Sequence, residues 1–293
     1  MTKPLVSIII LSALRRECTR SCLQSIAKHT PGNEYEVIVV DMGMDQVIRE
    51  WLVDLASTTK NMKLIFNRGN TGTSRGRNQG IGLSQAEYLV FLDNDAKVST
   101  GWLEELLEAA GRRPRAGLFG ARLVCPNEYV YFCSKYVYDR MIEGARRIGV
   151  RIVEPLKKDE PQVNVEERVA WYPTGCLMAK RKLIERLNGF DENLCFVEED
   201  KDLCLRAAQS GAEAIYCPGS LVIHDRVHDD DYERLIRYAN LERIRQDIAY
   251  FESKWNCKVD LIYSQECLRR LGYSDLMIER MRLGELKKFF QVV

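Results

Sequence analysis

Charge of one sign is missing from this chain. Lysine and arginine number 43, aspartate and glutamate 42, and the formal net charge is +1. No global field therefore recruits nucleic acid or an anionic surface. No apolar stretch reaches about 18 residues, so no bilayer-spanning helix is expected. The opening MTKPLVSIIILSALRRE has only a short apolar segment and no small-residue cleavage site after it. A first β-strand is expected there, not a signal peptide. The 10 cysteines include no CxxC pair and form no regular framework. Cys22, Cys204 and Cys217 sit inside apolar periodic segments, where cysteine acts as a small hydrophobe. Reduced thiols in a cytoplasmic protein are expected, not a disulfide scaffold. Histidine is scarce, at 3. There is no GxGxxG, no internal repeat and no low-complexity tract.

At 293 residues the chain has ample length for a core, in one large or two small domains. Near-continuous apolar runs, rich in Val and Ile, occur at 5–11, 36–41, 62–66 and 87–93. Such runs suit strands covered on both faces of a parallel sheet. Helix-like stretches separate them at about 18–29, 45–58 and 74–85, which predicts an α/β layered fold. A further helix over 101–112 and strand over 116–124 follow. The rhythm breaks over 125–170, with Pro126, Pro155 and Pro161 and several aromatics, which suggests an inserted lobe or mobile loop. Regularity returns with helices ending near Gly189 and Gly211. From 232 onward, apolar residues at 241, 244, 248, 251 and 255 predict an amphipathic helix, with another near 275–290.

Ligands of open α/β sheets bind beyond the carboxyl ends of the strands. The first expected tip carries SALRRE (12–17), the second DMGMD (41–45), the third NRGNTGTSRGRNQG (67–80) and the fourth Asp93-Asn94-Asp95. Gly72 and Gly76 invite a dinucleotide reading. The segment follows the third strand, not the first, so that reading is weak. Gly69 and Gly72 also fit a loop that needs positive φ. Arg75, Arg77 and Asn78 at the helix start suit a phosphate or a base edge. Asp93 and Asp95 fall on one face of an extended strand and can grip one cation together, Mg²⁺ or Mn²⁺ by their hard oxygens. The competing explanation is an Asx turn capping the next helix. EEDKD (198–202) exceeds what a helix cap needs. Crowded carboxylates raise one another's pKa, which prepares a general base. His224, after the strand-like SLVI, offers a nitrogen ligand for the same ion.

The ordered set VVDMGMD, NRGNTGTSRGRNQGI, FLDNDAKV, TGCLMAKRKLIERLNGFDE, EEDKDLCLRA and IHD resembles the family-two glycosyltransferases. Within that family the set is most similar to the branch of bacterial rhamnosyltransferase-like enzymes. The resemblance covers about residues 5–226. It implies a GT-A fold: a Rossmann-like, mostly parallel sheet flanked by helices, here with a C-terminal helical extension. It implies inverting transfer from a nucleoside diphosphate sugar to a hydroxyl-bearing glycan or glycoconjugate, aided by Mn²⁺ or Mg²⁺. Residue by residue, it implies that Asp41 contacts the nucleobase and that Arg75, Arg77 and Asn78 hold the nucleotide. It puts Asp93 and Asp95 on the metal and diphosphate with Asn94 between them, and His224 completing the metal site. Asp200 of the Glu199-Asp200 pair becomes the catalytic base. Gly175 lies where the backbone approaches the donor sugar. Ser12-Ala13-Leu14 stands where the family has Thr, an aromatic and Asn, which keeps Ser12 among the donor-binding positions. Met44 stands where Ser is common, and Val197 where an aromatic is common. The first two departures touch the base and ribose pocket and leave the donor open; a UDP-sugar is favoured, with dTDP- and GDP-sugars as alternatives.

The implied organisation is a nucleotide-sugar-binding half (1–124), a catalytic and acceptor-binding half (125–231) with an inserted lobe (125–170), and a helical extension (232–293). Tyr129, Tyr131, Phe132, Tyr136 and Tyr138 are candidates to stack on sugar rings, or equally to pack the lobe. The extension is expected to pack on the catalytic body or to form a homodimer. Its balanced charge disfavours peripheral contact with the inner face of a membrane, which stays open. Two rivals remain. A nucleotidyltransferase would want a glycine-rich signature after the first strand, and SALRRE has none. A non-catalytic module on this scaffold would have lost metal or base acids, and none is lost.

Overall fold

The structure is a computed structural model that describes residues 3–13, 16–32, 34–43, 46–225, 241–283 and 291–292. Met44 and residues 226–240 fall outside the described residues.

The N-terminal half alternates strands and helices: β1 (Val6–Ser12), α1 (Arg16–His29), β2 (Tyr35–Asp41), α2 (Gln46–Thr58), β3 (Met62–Phe66), α3 (Thr73–Leu83) and β4 (Tyr88–Asp93). The strands lie side by side in the order β3-β2-β1-β4, all parallel. Ile8, Ile9, Ile10, Ile38, Val39 and Val40 are buried, as expected of strands covered on both faces. Ser12 pairs with Asp41 and Leu11 with Asp93, so three polar tips end level at one edge.

Helix α3 lies unusually close to this sheet. A Cβ on Gly80 would come within 2.5 Å of Ile9 Cγ2, and one on Gly76 within 2.9 Å of Met42 Sδ. The glycines four apart are therefore a packing seam that lets helix meet strand. Gly72 does have positive φ, at 85°, while Gly69 is not among the left-handed glycines.

The chain continues through β5 (Ala96–Val98), α4 (Trp102–Arg112), β6 (Ala116–Val124), β7 (Val130–Phe132), β8 (Val137–Ile142), β9 (Ala145–Ile152), β10 (Glu167–Val169), β11 (Cys176–Lys180), α5 (Arg181–Arg186), α6 (Glu199–Gln209) and β12 (Glu213–His224). The main sheet extends as β4-β11-β6-β12-β10. Strand β11 runs antiparallel to both β4 and β6, while β12 is parallel to β6. The α4 apolar stripe of Trp102, Leu103, Leu106, Ala109 and Ala110 is buried.

The tail holds α7 (Leu241–Trp255), β13 (Lys258–Tyr263), α8 (Gln265–Arg270), α9 (Asp275–Leu283) and β14 (Gln291–Val292). Helices were expected here; the strands were not. β13 pairs parallel with β9, making a second sheet in the order β14-β13-β9-β8. The 125–170 stretch is thus not a free loop. β7 joins the main sheet, and the β8–β9 hairpin is completed by the tail.

Candidate active site

Asp93 ends β4, Asp95 follows two residues later, and His224 ends β12. Adjacent strand β5, antiparallel to β12, brings Ala96 opposite His224. His224 Nε2 lies 3.0 Å from Asp95 Oδ1 and 3.4 Å from Asp93 Oδ2. One ligand atom from each of the three residues falls within 4.8 Å of the others. His224 is buried, yet among the described residues neither ring nitrogen has an aligned hydrogen-bond partner. A buried polar ring without such a partner is costly. Burial opposes charge on the imidazole, but the carboxylates of Asp95 and Asp93 outweigh it and push its pKa up to about 10. Two hard oxygens and one imidazole nitrogen crowded this way fit a divalent ion such as Mn²⁺.

Gly175 closes one side. Its carbonyl accepts from Asp93 N at 3.2 Å. A Cβ there would meet Leu123 Cδ1 at 3.0 Å, Asp93 Oδ2 at 3.6 Å and His224 Cε1 at 3.9 Å. Asn94 does not point at this cluster's ligands. Its Nδ2 donates to Ala13 O at 2.8 Å and Thr19 Oγ1 at 3.0 Å, tying the turn to the first tip. Ser12 Oγ shares a hydrogen bond with Thr19 Oγ1 at 3.1 Å.

The second acidic group reaches the first through Arg77. This buried guanidinium contacts Glu199 Oε1 at 2.5 Å and Asp93 Oδ1 at 3.6 Å. Glu198, at positive φ of 68°, starts α6 and pairs with Lys201 Nζ at 2.7 Å. Lys201 also sits 4.7 Å above the Trp171 ring. Burial raises the carboxyls of Glu199 and Asp200. Arg77 opposes this at Glu199 and Lys201 at Asp200, while neighbouring acids add to it. Asp200 is half-buried and accepts from Lys201 N at 2.6 Å. A raised carboxyl beside a second acidic cluster is the environment of a general base.

Other positions are engaged differently from expectation. Asn78 is spent on the 190–192 turn: Nδ2 donates to Phe190 O and to Glu192 Oε1, both at 3.0 Å, and Oδ1 accepts from Phe190 N at 2.9 Å. The start of α3 is taken up in the same way, since Thr73 N donates to Cys195 O at 2.6 Å. Arg75 is exposed. Asp41, buried at its strand tip, accepts from Arg49 Nε at 2.8 Å. Arg49 also covers the Phe66 ring at 5.7 Å. No spacing signal marks Arg49 in the sequence. Of the five candidate aromatics, Phe132 and Tyr136 are buried and Tyr138 donates to Asp260 Oδ2 at 2.8 Å. Tyr129 lies between Lys157 and Arg270. Tyr131 reaches the cluster, its ring 5.0 Å from that of His224.

Among solved structures, the chain resembles the mannosyltransferase PcManGT from Pyrobaculum calidifontis, in complex with GDP-Man and Mn²⁺. The TM-score is 0.61 at 19% identity, over 86% of this chain and 65% of that one. GalNAc-T7 with UDP, GalNAc and Mn²⁺ matches with a TM-score of 0.62 at 16% identity, over 88% of this chain and 55% of that one. The fold is the GT-A fold. Among curated proteins, the pre-mycofactocin glycosyltransferase of Mycobacterium tuberculosis is 28% identical over 64% of this chain and 37% of its own length. The N-acetylglucosaminyl-diphospho-decaprenol L-rhamnosyltransferase of the same species is 27% identical over 48% of each chain. The chain thus spans half or less of the length of these relatives. A family model described as glycosyl transferase family 2 matches residues 7–187, from β1 through α5. With that match over most of its length, the chain belongs to glycosyl transferase family 2.

Proposed function

We propose that this chain is a metal-dependent, inverting glycosyltransferase that moves a sugar from a nucleoside diphosphate sugar to a hydroxyl on a glycan or glycoconjugate. The observation that carries it is the convergence of Asp93, Asp95 and His224 at the strand tips, with Arg77 linking them to the Glu199-Asp200 pair. A divalent ion held by those three residues would neutralise charge building on the departing diphosphate. Asp200 takes the acceptor's hydroxyl proton. The freed oxygen bonds to the anomeric carbon as that carbon's bond to the diphosphate breaks, and the configuration inverts. Arg77 opposes the effect of burial on Glu199 and fixes it beside the base. Asp41, Ser12 and Arg75 are left to the nucleotide. A UDP-sugar is the favoured donor, with dTDP- and GDP-sugars as alternatives. Tyr131, beside His224, offers a face for a sugar ring.

Work in the cytoplasm, free or at the inner face of a membrane, fits this substrate class. Among the described residues, no helix is long and apolar enough to cross a membrane. The test is release of nucleoside diphosphate from a panel of nucleotide sugars, with and without Mn²⁺. Metal-dependent release with one preferred donor is expected. Release that ignores the metal, or none from any donor, refutes the reading. Pyrophosphate release from a nucleoside triphosphate and a sugar phosphate would favour a nucleotidyltransferase instead.

A further inference from the structure

We propose that Asp247, on the C-terminal helix α7, is a positioning residue for the acid-bearing start of α6. The inference rests on the proposed role of Asp200 as base. Asp247 is fully buried, and a buried carboxylate is tolerated only when donors surround it. Its Oδ2 accepts from Phe196 N at 2.7 Å and Val197 N at 3.3 Å, and its Oδ1 accepts from Arg243 Nε at 3.2 Å. Those two amides immediately precede Glu198, Glu199 and Asp200.

Asp247 does not act alone. Arg243, Asp247, Tyr250 and Lys254 recur at helical spacing, so one face of α7 lines the turn. Arg243 Nη2 donates to Asn193 O at 2.9 Å, Tyr250 OH to Asp191 Oδ2 at 2.9 Å, and Lys254 Nζ to the same oxygen at 2.7 Å. Lys254 and Trp255 also reach Asp202 Oδ1 inside α6, at 2.7 and 2.9 Å. From the opposite side, Thr73 and Asn78 of α3 hold Cys195 and Phe190. The turn is gripped between α3 and α7.

Such a grip has work to do. Glu198 adopts the left-handed region, at φ 68°, which a residue with a side chain seldom occupies unless its surroundings impose it. Like carboxylates crowd the next two positions. Left to itself, the turn would relax and carry Asp200 away. The family model matches residues 7–187, so α6 and α7 both lie beyond that match. The tail supplies an element the catalytic half needs.

The test uses the full chain with Asp247→Ala and Asp247→Asn, and Asp200→Asn in parallel. Amide hydrogen exchange is followed across 194–202. Turnover and donor KM are measured well below the melting temperature. Asp247→Ala is expected to speed exchange at 194–202 and leave β1–β4 protected. Turnover should fall about tenfold or more, the equivalent of one charge-assisted hydrogen bond, with donor KM nearly unchanged. Asp247→Asn, which keeps one acceptor oxygen, should recover part of both. Unchanged exchange at 194–202 overturns the proposal, and so does faster exchange with wild-type turnover. Full activity in Asp200→Asn would remove the base role instead, and the exchange measurement would still decide whether Asp247 holds the turn.

Discussion

Replacing Asp200 by Asn separates what its carboxyl does for chemistry from what it does to the fold. The carboxyl sits in the first turn of α6, where the helix dipole favours an anion by about 0.3–1 kcal/mol. Burial and the neighbouring Glu198 work against ionisation, Lys201 works for it, and the net direction is upward. Lys201 is in turn held by Glu198 at 2.7 Å. A carboxyl raised in the folded state binds its proton more tightly there than in the unfolded chain. Its contribution is therefore fully present below the unfolded value, near pH 4, and is lost as pH rises through the raised folded value. At pH 7.5 the ionised group is a net burden of about 1.4 kcal/mol for each unit of that rise. The amide removes this burden and keeps the oxygen that accepts from Lys201 N at 2.6 Å. Asp200→Asn is thus expected to stabilise the protein by roughly 1 kcal/mol at pH 7.5, about 2 °C in melting temperature for a chain of this size. Loss of a general base should cut turnover by about 10²- to 10⁴-fold in the same variant. Thermal melts at pH 4.5 and 7.5, beside nucleoside diphosphate release, read both. A variant that melts lower than wild type at pH 7.5 refutes the crowding, and one that turns over normally refutes the base.

His224→Ala should abolish most of the thermal shift given by Mn²⁺. In the wild type that shift corresponds to about 2.7 kcal/mol at a metal concentration 100 times Kd, and an undiminished shift would place the ion elsewhere. Arg77→Met should destabilise by about 3 kcal/mol or more at neutral pH, because Glu199 is left buried without its guanidinium. Denaturant midpoints should show that loss easing in acid, as Glu199 takes a proton. Gly72→Ala should lower stability by about 2 kcal/mol or more, given positive φ and a Cβ that would land 2.3 Å from Cys195 Sγ. Gly82→Ala, on the same helix with no described residue within 4 Å of the added Cβ, should leave the melting temperature equal or higher.

The N-terminal half was legible because its signals are local. A strand buried on both faces must be apolar throughout, so runs such as 36–41 and 87–93 announce themselves. Their ends are visible where polarity returns, at Asp41 and Asp93. The tail strand β13 was not legible. KVDLIY lies among helical segments and becomes a strand only by pairing with β9, more than a hundred residues earlier in the chain. The glycines of α3 were ambiguous for a related reason. Spacing of four is shared by loops that cradle phosphate and by helices pressed against a sheet, and only the contact with Ile9 and Met42 separates the two.

At the candidate site, residue types were legible and partnerships were not. The positions of Asp93, Asp95 and His224 at or just past strand ends were enough to collect them at one edge of the sheet, because strand direction determines where tips emerge; Glu199 and Asp200, in the first turn of α6, fall outside that rule. Which cation each acid meets depends on differences of an ångström between elements distant in sequence. Arg77 is an example. On the helix start it looks like a ligand for phosphate. Folded, it lies 2.5 Å from Glu199 and 3.6 Å from Asp93, so its charge is committed first to the helix that carries Asp200. Coulomb attraction falls with distance and rises as water is excluded, so the nearer, fully buried pair dominates. The same reasoning explains why Asp247 carries no motif. Its partners are two backbone amides and Arg243 one turn earlier on its own helix, and any sequence that returns a helix to that turn with one inward carboxylate would serve.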